Sequence, residues 1–212
     1  EDYRIYSLNI PEDITFAGET VPLQLMDVKE KLDRELHVNT YWQSNTLLYL
    51  KRSNKYFPII EPILKKNNIP EDFKYLAIQE SGLISDAVSS ADAVGFWQFK
   101  DFTAREVGLR VDKRIDERKN IVASSRGAAK YLKRHNFLVD NWIYAMSAYQ
   151  AGMGGARKYM NKSKYGDRKL EINSSSHWYV KKFIAPDKTG SFHLRAITSY
   201  HQPPRNNVKI LK

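Results

Sequence analysis

From Asp27 onward the apolar residues of this chain recur at three- and four-residue spacing, and no alternating apolar–polar run of strand length breaks the pattern. That restricts the fold more than any other feature. A stripe of helical period cannot be laid along one face of a sheet, where side chains alternate every second residue. The expectation is an all-α domain of helices of modest length with an irregular N-terminal lead-in. The lead-in covers residues 1 to about 27, where Ile5, Leu8, Ile10, Ile14 and Phe16 are scattered and Pro11, Gly18 and Pro22 punctuate them.

The helices can be placed from their ends. Val28, Leu32 and Leu36 begin the first periodic stretch, and Leu47, Leu48 and Leu50 continue it. Tyr56 to Lys66 reads as another, with Pro58 suited to a first turn and Pro62 expected to bend it. Pro70-Glu71-Asp72 opens a helix, with proline in the first turn and acids at the positive dipole end, and Gly82 stops it. A small-residue loop runs from Ser85 to Gly95. Asp101, Asn120 and Asp140 are candidate caps of helices ending near Gly108, near His135 and at Tyr149, the last halted by Gly152, Gly154 and Gly155. A further helix is expected over Trp178 to Ile184, before Pro186 and Gly190. The chain then divides into an N-terminal extension over 1–39, partly extended, a main helical domain over 40–185 and a basic tail over 186–212.

Composition bounds the partner. The chain has 212 residues, 42% of them hydrophobic, enough for a real core, and no apolar run approaches the ~20 residues of a membrane span. It begins at Glu1, which reads as a processed or trimmed chain. Cysteine is absent, so no disulfide or thiolate metal site can form. The formal charge of +10 calls for an anionic partner. The cations, such as Lys51, Arg52, Lys65, Lys66, Lys130, Lys133 and Arg134, are dispersed rather than gathered into an arm, which does not favour nucleic acid.

One carboxyl stands out. Phe73, Leu76, Ala77 and Glu80 fall at i, i+3, i+4 and i+7, so Glu80 lies on the apolar stripe of its helix and in its last turn. Desolvation and the negative helix end both oppose ionisation there, which is what a glycosidase acid requires. A glutamate bonded to a nearby Arg or Tyr, or one turned outward at the helix end, fits the same spacing. Ordinary retaining and inverting glycosidases need a second carboxylate roughly 5 to 9 Å away; Asp92 in the following loop is the candidate, although loop aspartates commonly form turns. His37, His135, His177, His193 and His201 show no metal-ligand spacing, and GxxxxGK[ST], GxGxxG after a strand, and GxSxG are absent. No metal or cofactor is expected. Phe96, Trp97, Phe99, Tyr144, Tyr149, Trp178 and Tyr179 are of the type that lines sugar clefts, and equally of the type that fills cores.

Four ordered segments carry a resemblance: Glu80-Ser81, Gly95-Phe96-Trp97-Gln98-Phe99, Ala148-Tyr149-Gln150-Ala151-Gly152 and Trp178-Tyr179-Val180. They resemble the motifs of lytic transglycosylases with a goose-type lysozyme-like (SLT) domain, in particular the membrane-bound murein transglycosylase D type. The similarity runs from about Thr40 to Ile184 and takes in Asn68-Ile69-Pro70 and the stretch from Arg118 to Ser124. It implies Glu80 as catalytic acid and base, Ser81 as its support, and Gln98, Tyr149 and Tyr179 as residues lining the sugar site. Gln150 stands where the family has asparagine, one methylene shorter, and the chain diverges after Ile184.

The resemblance further implies cleavage of the N-acetylmuramic acid to N-acetylglucosamine bond with closure of a 1,6-anhydro ring, using one carboxyl and the substrate's own acetamido group. The partner implied is the peptidoglycan glycan strand, not nucleic acid. The setting implied is the periplasm of a bacterial cell envelope, with peripheral association and a monomeric state. Three other readings stay open on the residues: a hydrolytic goose-type lysozyme, a non-catalytic peptidoglycan-binding protein, and a basic helical nucleic-acid binder.

Overall fold

The computed structural model describes residues 6–10, 12–21, 23–160 and 209–210. Six helices make up most of it: α1 (Met26–Tyr41), α2 (Gln43–Lys66), α3 (Lys74–Ser81), α4 (Asp101–Glu106), α5 (Ile121–Val139) and α6 (Trp142–Met160). The all-α expectation holds for the described residues, apart from short two-residue strands. β1 (Tyr6–Ser7) pairs antiparallel with β4 (Lys209–Ile210), and β2 (Thr15–Phe16) with β3 (Glu19–Thr20). None of the described helices is long and apolar enough to cross a membrane.

The lead-in is not a loose arm. β2 and β3 are joined by Ala17 and Gly18, both at positive φ, 50° and 85°, the left-handed pair that a two-residue hairpin requires. The hairpin places the Phe16 ring 5.5 Å from that of Phe73 at the head of α3, and the Ala17 N–H donates to Asp72 Oδ2 at 2.7 Å. Phe16, Val21, Leu32 and Leu36 thereby join the same core as α2, α3 and α5.

Residues 43–66 form one helix rather than two, with both Pro58 and Pro62 inside it. The prolines lie four apart and are exposed, so they share the outer face. The hydrogen bonds they remove fall on the side where water can serve the freed carbonyls, while Thr46, Tyr49, Ser53, Ile60 and Leu64 stay buried on the other.

α3 is the central helix. Lys74 through Gln79 are all buried, so it is enclosed all round rather than amphipathic. Lys74 is accommodated by hydrogen bonds to Glu61 at 2.7 Å and Glu71 at 2.5 Å. Burial pushes its ammonium pKa down, but those two carboxylates outweigh burial and hold it above the ordinary lysine value. Gly82 ends the helix at φ 61°, its N–H bonded to Ile78 O, as the sequence implies.

Asn120 caps α5, its Oδ1 accepting from the N–H groups of Val122 and Ala123. Asp140 does not cap α6. It takes the left-handed conformation at the end of α5, φ 49°, and Asn141 caps instead, accepting from Ile143 and Tyr144. Asp101 likewise sits inside the first turn of α4, with Lys100 at the cap position. The helical run from Trp142 breaks at Gly152 (φ 69°, ψ 167°), as the sequence implies, and a second helical run follows the kink to Met160. The helix expected over Trp178 to Ile184 lies outside the described residues.

Candidate active site

The site grows out of the loop between α3 and α4. Gly82 turns the chain out of α3, and residues 83–100 fold back past the helix end. Short bridges tie Val94 to Val88 and to Phe99. Gly95 donates its N–H to Ala87 O at 2.9 Å and has φ 84°. A Cβ at this position would stand 2.0 Å from the carbonyl oxygen of Arg118, so only glycine fits.

Gln98 is held in the left-handed region as well, φ 50°. Its Nε2 donates to Ala87 O at 3.1 Å and to Gly95 O at 3.0 Å. The amide hydrogens therefore brace the loop, and the group Gln98 can offer outward is its carbonyl oxygen.

The outer wall of the loop is clamped by the 3₁₀ turn Glu117–Lys119. Arg118, buried, donates through Nε to Asp116 Oδ1 at 2.8 Å and through Nη2 to Oδ2 at 2.7 Å, and its Nη1 reaches Phe99 O at 3.2 Å. The guanidinium holds the Asp116 carboxyl below the usual carboxylate range. Inside, Trp97 is fully buried and donates its indole N–H to Ser125 Oγ on α5 at 2.9 Å.

These supports enclose a cleft of about 520 Å³ at the end of α3. Glu80, Gln98, Tyr149 and Gln150 all line it. Ser81 stands behind rather than in it: its Oγ lies 2.8 Å from Phe96 O and 3.1 Å from Ala77 O, tying the helix end to the loop. Tyr179 lies outside the described residues. Asp92 does not reach the cleft. Its side chain is exposed at a left-handed turn position, φ 59°, although its neighbours Ala91 and Ala93 line the wall. Glu80 is the one carboxylate among the described lining residues, and it is half-buried.

Tyr149 forms the back of the cleft. Its hydroxyl donates to Trp97 O at 2.7 Å, and its ring packs against Phe99 at 5.8 Å and Tyr131 at 5.4 Å. Burial pushes its phenol pKa well above the ordinary value, and the negative charge of Glu80 pushes it further. Tyr149 therefore stays a neutral donor. Tyr131, also lining the cleft, is raised by burial too.

Several lining residues are not marked by any motif: Ser89, Lys100, Thr103 and Tyr131. Tyr131 is separated from the acid by 51 positions (131 minus 80) and becomes a wall residue only because α5 packs across the loop. Local spacing carries no signal for it.

Residues 57–172 match the family model of the transglycosylase SLT domain. The chain is 29% identical over 179 residues to the membrane-bound lytic murein transglycosylase D of Escherichia coli, an alignment covering 80% of this chain and 39% of that protein. It thus spans about two fifths of the length of that relative. Among solved structures, an inactive variant of the lytic transglycosylase Slt from Pseudomonas aeruginosa superposes with a TM-score of 0.45 at 19% identity, covering 68% of this chain and 22% of the other.

Proposed function

The chain belongs to the transglycosylase SLT domain family, and on that premise we propose that its cleft cleaves the glycan strands of peptidoglycan without consuming water. The observation that carries this reading is that, among the described residues, Glu80 is the single carboxylate on a cleft wall otherwise lined by neutral side chains and one lysine. An inverting hydrolase needs a second carboxylate to activate water, and a retaining one needs a carboxylate nucleophile. Asp92, the rival acid in the adjacent loop, is exposed and outside the cleft lining, as is Asp86 in the same loop.

The reaction then runs on one group. Protonated Glu80 donates to the oxygen linking N-acetylmuramic acid to N-acetylglucosamine, and that bond breaks. The 2-acetamido oxygen of the muramoyl residue stabilises the anomeric carbon. Glu80, now a carboxylate, takes the proton of the muramoyl C6 hydroxyl, whose oxygen closes the 1,6-anhydro ring. Proton count balances and Glu80 returns to its acid form. An oriented intramolecular hydroxyl has an effective molarity that can reach about 10⁵ M or more, enough to exclude water as acceptor.

The surrounding residues take positioning roles in this proposal. Gln98 presents its carbonyl oxygen to sugar hydroxyl or amide donors. Tyr149 supports the wall facing Glu80, and Gln150, exposed at the rim, reaches the substrate with a longer arm than the family's asparagine. Ser81 anchors the acid's helix end to the loop, and Tyr179 completes the set on the family's pattern. The catalytic unit spans 40–185, and action on peptidoglycan sets the protein in the periplasm at the cell envelope, as a monomer. Mass spectrometry of fragments released from purified sacculi tests the reading. Ends carrying 1,6-anhydro-N-acetylmuramic acid are expected; reducing ends that take up solvent oxygen would make the protein a hydrolase instead.

A further inference from the structure

Resting on that reading, the cleft contains a second charged group that the reaction does not use. Among the described residues lining it, Glu80 is the one acid and Lys100 the one base. Lys100 follows Phe99 on the loop and leads into α4; the Ala104 N–H donates to its carbonyl oxygen at 2.9 Å and fixes its backbone, and Thr103 lies beside it on the same wall. Its side chain is exposed.

Other cations of this region are engaged: Arg105 pairs with Asp101 and Arg118 with Asp116. Lys100 has no ion pair among the described residues, and apart from Glu80 the groove it lines is built of neutral side chains. An unneutralised ammonium there attracts an anion and fixes its place along the wall.

A strand built only of N-acetylglucosamine carries no charge. Carboxylates enter a peptidoglycan strand in two ways: as the lactyl group of a muramoyl residue from which the peptide has been removed, and as the acids of an attached peptide. We propose that Lys100 is a specificity-determining residue that binds a strand carboxylate, so that the enzyme distinguishes acid-bearing strands from neutral ones. The two sources share one chemistry and are separable by experiment.

The test measures binding by Glu80→Gln protein, which leaves strands intact, with and without Lys100→Gln. Three strands serve as probes: peptide-free strands with lactyl carboxylates, the same strands with those carboxylates converted to methyl amides, and strands carrying peptides. With Lys100 present, the strand bearing the recognised carboxylate should bind about fivefold more tightly than the amidated one, the contribution of one partly exposed ion pair. In the double variant that ratio should fall to about one, and Lys100→Arg should restore it. Preference for the peptide-free acid assigns the lactyl carboxylate; preference confined to the peptide-bearing strand assigns a peptide carboxylate. Equal binding of all three strands with Lys100 present, or a ratio that survives Lys100→Gln, overturns the assignment. Cleavage of sacculi by the unaltered protein is scored separately. Normal cleavage without discrimination sinks only the role of Lys100, whereas no cleavage and no binding of any strand sink both proposals.

Discussion

The hydroxyl of Tyr149 donates to the carbonyl oxygen of Trp97 across 52 positions of sequence, at 2.7 Å. This one bond joins the loop that follows the acid's helix to the helix that backs the cleft. Two segments that look independent along the chain thus meet through a backbone carbonyl.

Tyr149→Phe keeps the ring contacts and removes the bond. The buried carbonyl of Trp97 then loses its partner, which costs about 1–3 kcal/mol. A wall that shifts by a fraction of an ångström also misplaces the strand against Glu80, so turnover should fall by up to about 10²-fold. Denaturant titration and steady-state kinetics on soluble strands check both; a change in KM alone would place the tyrosine in binding rather than alignment.

Glu80→Gln preserves shape and removes the proton. Turnover on sacculi should drop at least ~10²- to 10⁴-fold, the usual contribution of general acid–base catalysis. The melting temperature should hold. Near-normal activity in this variant would mean that another group is the acid.

Gly95→Ala should be among the most destabilising single methyl additions in the protein. The new Cβ would meet the Arg118 carbonyl at 2.0 Å, and the residue would be held at φ 84°. Overpacking against backbone and left-handed strain together should cost about 3 kcal/mol or more. Chemical denaturation measures it, and a loss below about 1 kcal/mol would show that the loop relaxes freely.

His135 makes stability depend on pH. Its ring packs edge-on to Tyr131 at 4.1 Å, and Nδ1 is buried with no hydrogen-bond partner. Burial, assisted by the Arg134 charge, pushes its imidazole down to about 4, against about 6.5 in an unfolded chain. Between those values the unfolded chain binds a proton that the folded protein does not. Stability should therefore be lost as pH falls from about 6.5 towards 4, with no further loss from this group below that. His135→Phe should flatten that part of the curve relative to the unaltered protein. Parallel curves for the two proteins over this interval would remove His135 as the cause.

Much of the fold was legible where a single side chain decides a local outcome. Asn120 reads as a cap and is one, and Gly82 reads as a stop and is one. Where two neighbours can each do the job, sequence cannot choose: Asp140 and Asn141 both suit a cap, and the preceding helix claims Asp140 for its own end. The prolines of α2 mislead for a different reason, since their cost depends on which face they occupy. The apolar stripe drew attention to Glu80, yet α3 is enclosed on all sides, so the stripe does not distinguish Glu80 from Lys74 or Gln79. Its place in the lining of a cleft comes from the loop after it. Lys100, Thr103 and Tyr131 join the wall only through tertiary packing, which no local period records.

The clamp between Arg118 and Phe99, with Gly95 seated on the Arg118 carbonyl, bears on how this loop can be exchanged among relatives. Residues 85–100 are not a portable cassette. Transplanted alone, they would arrive without the guanidinium that holds their far end and without the backbone surface to which Gly95 is fitted. The inheritable unit is the loop together with the turn at 116–119, two stretches that must travel as a pair although the chain threads a helix between them.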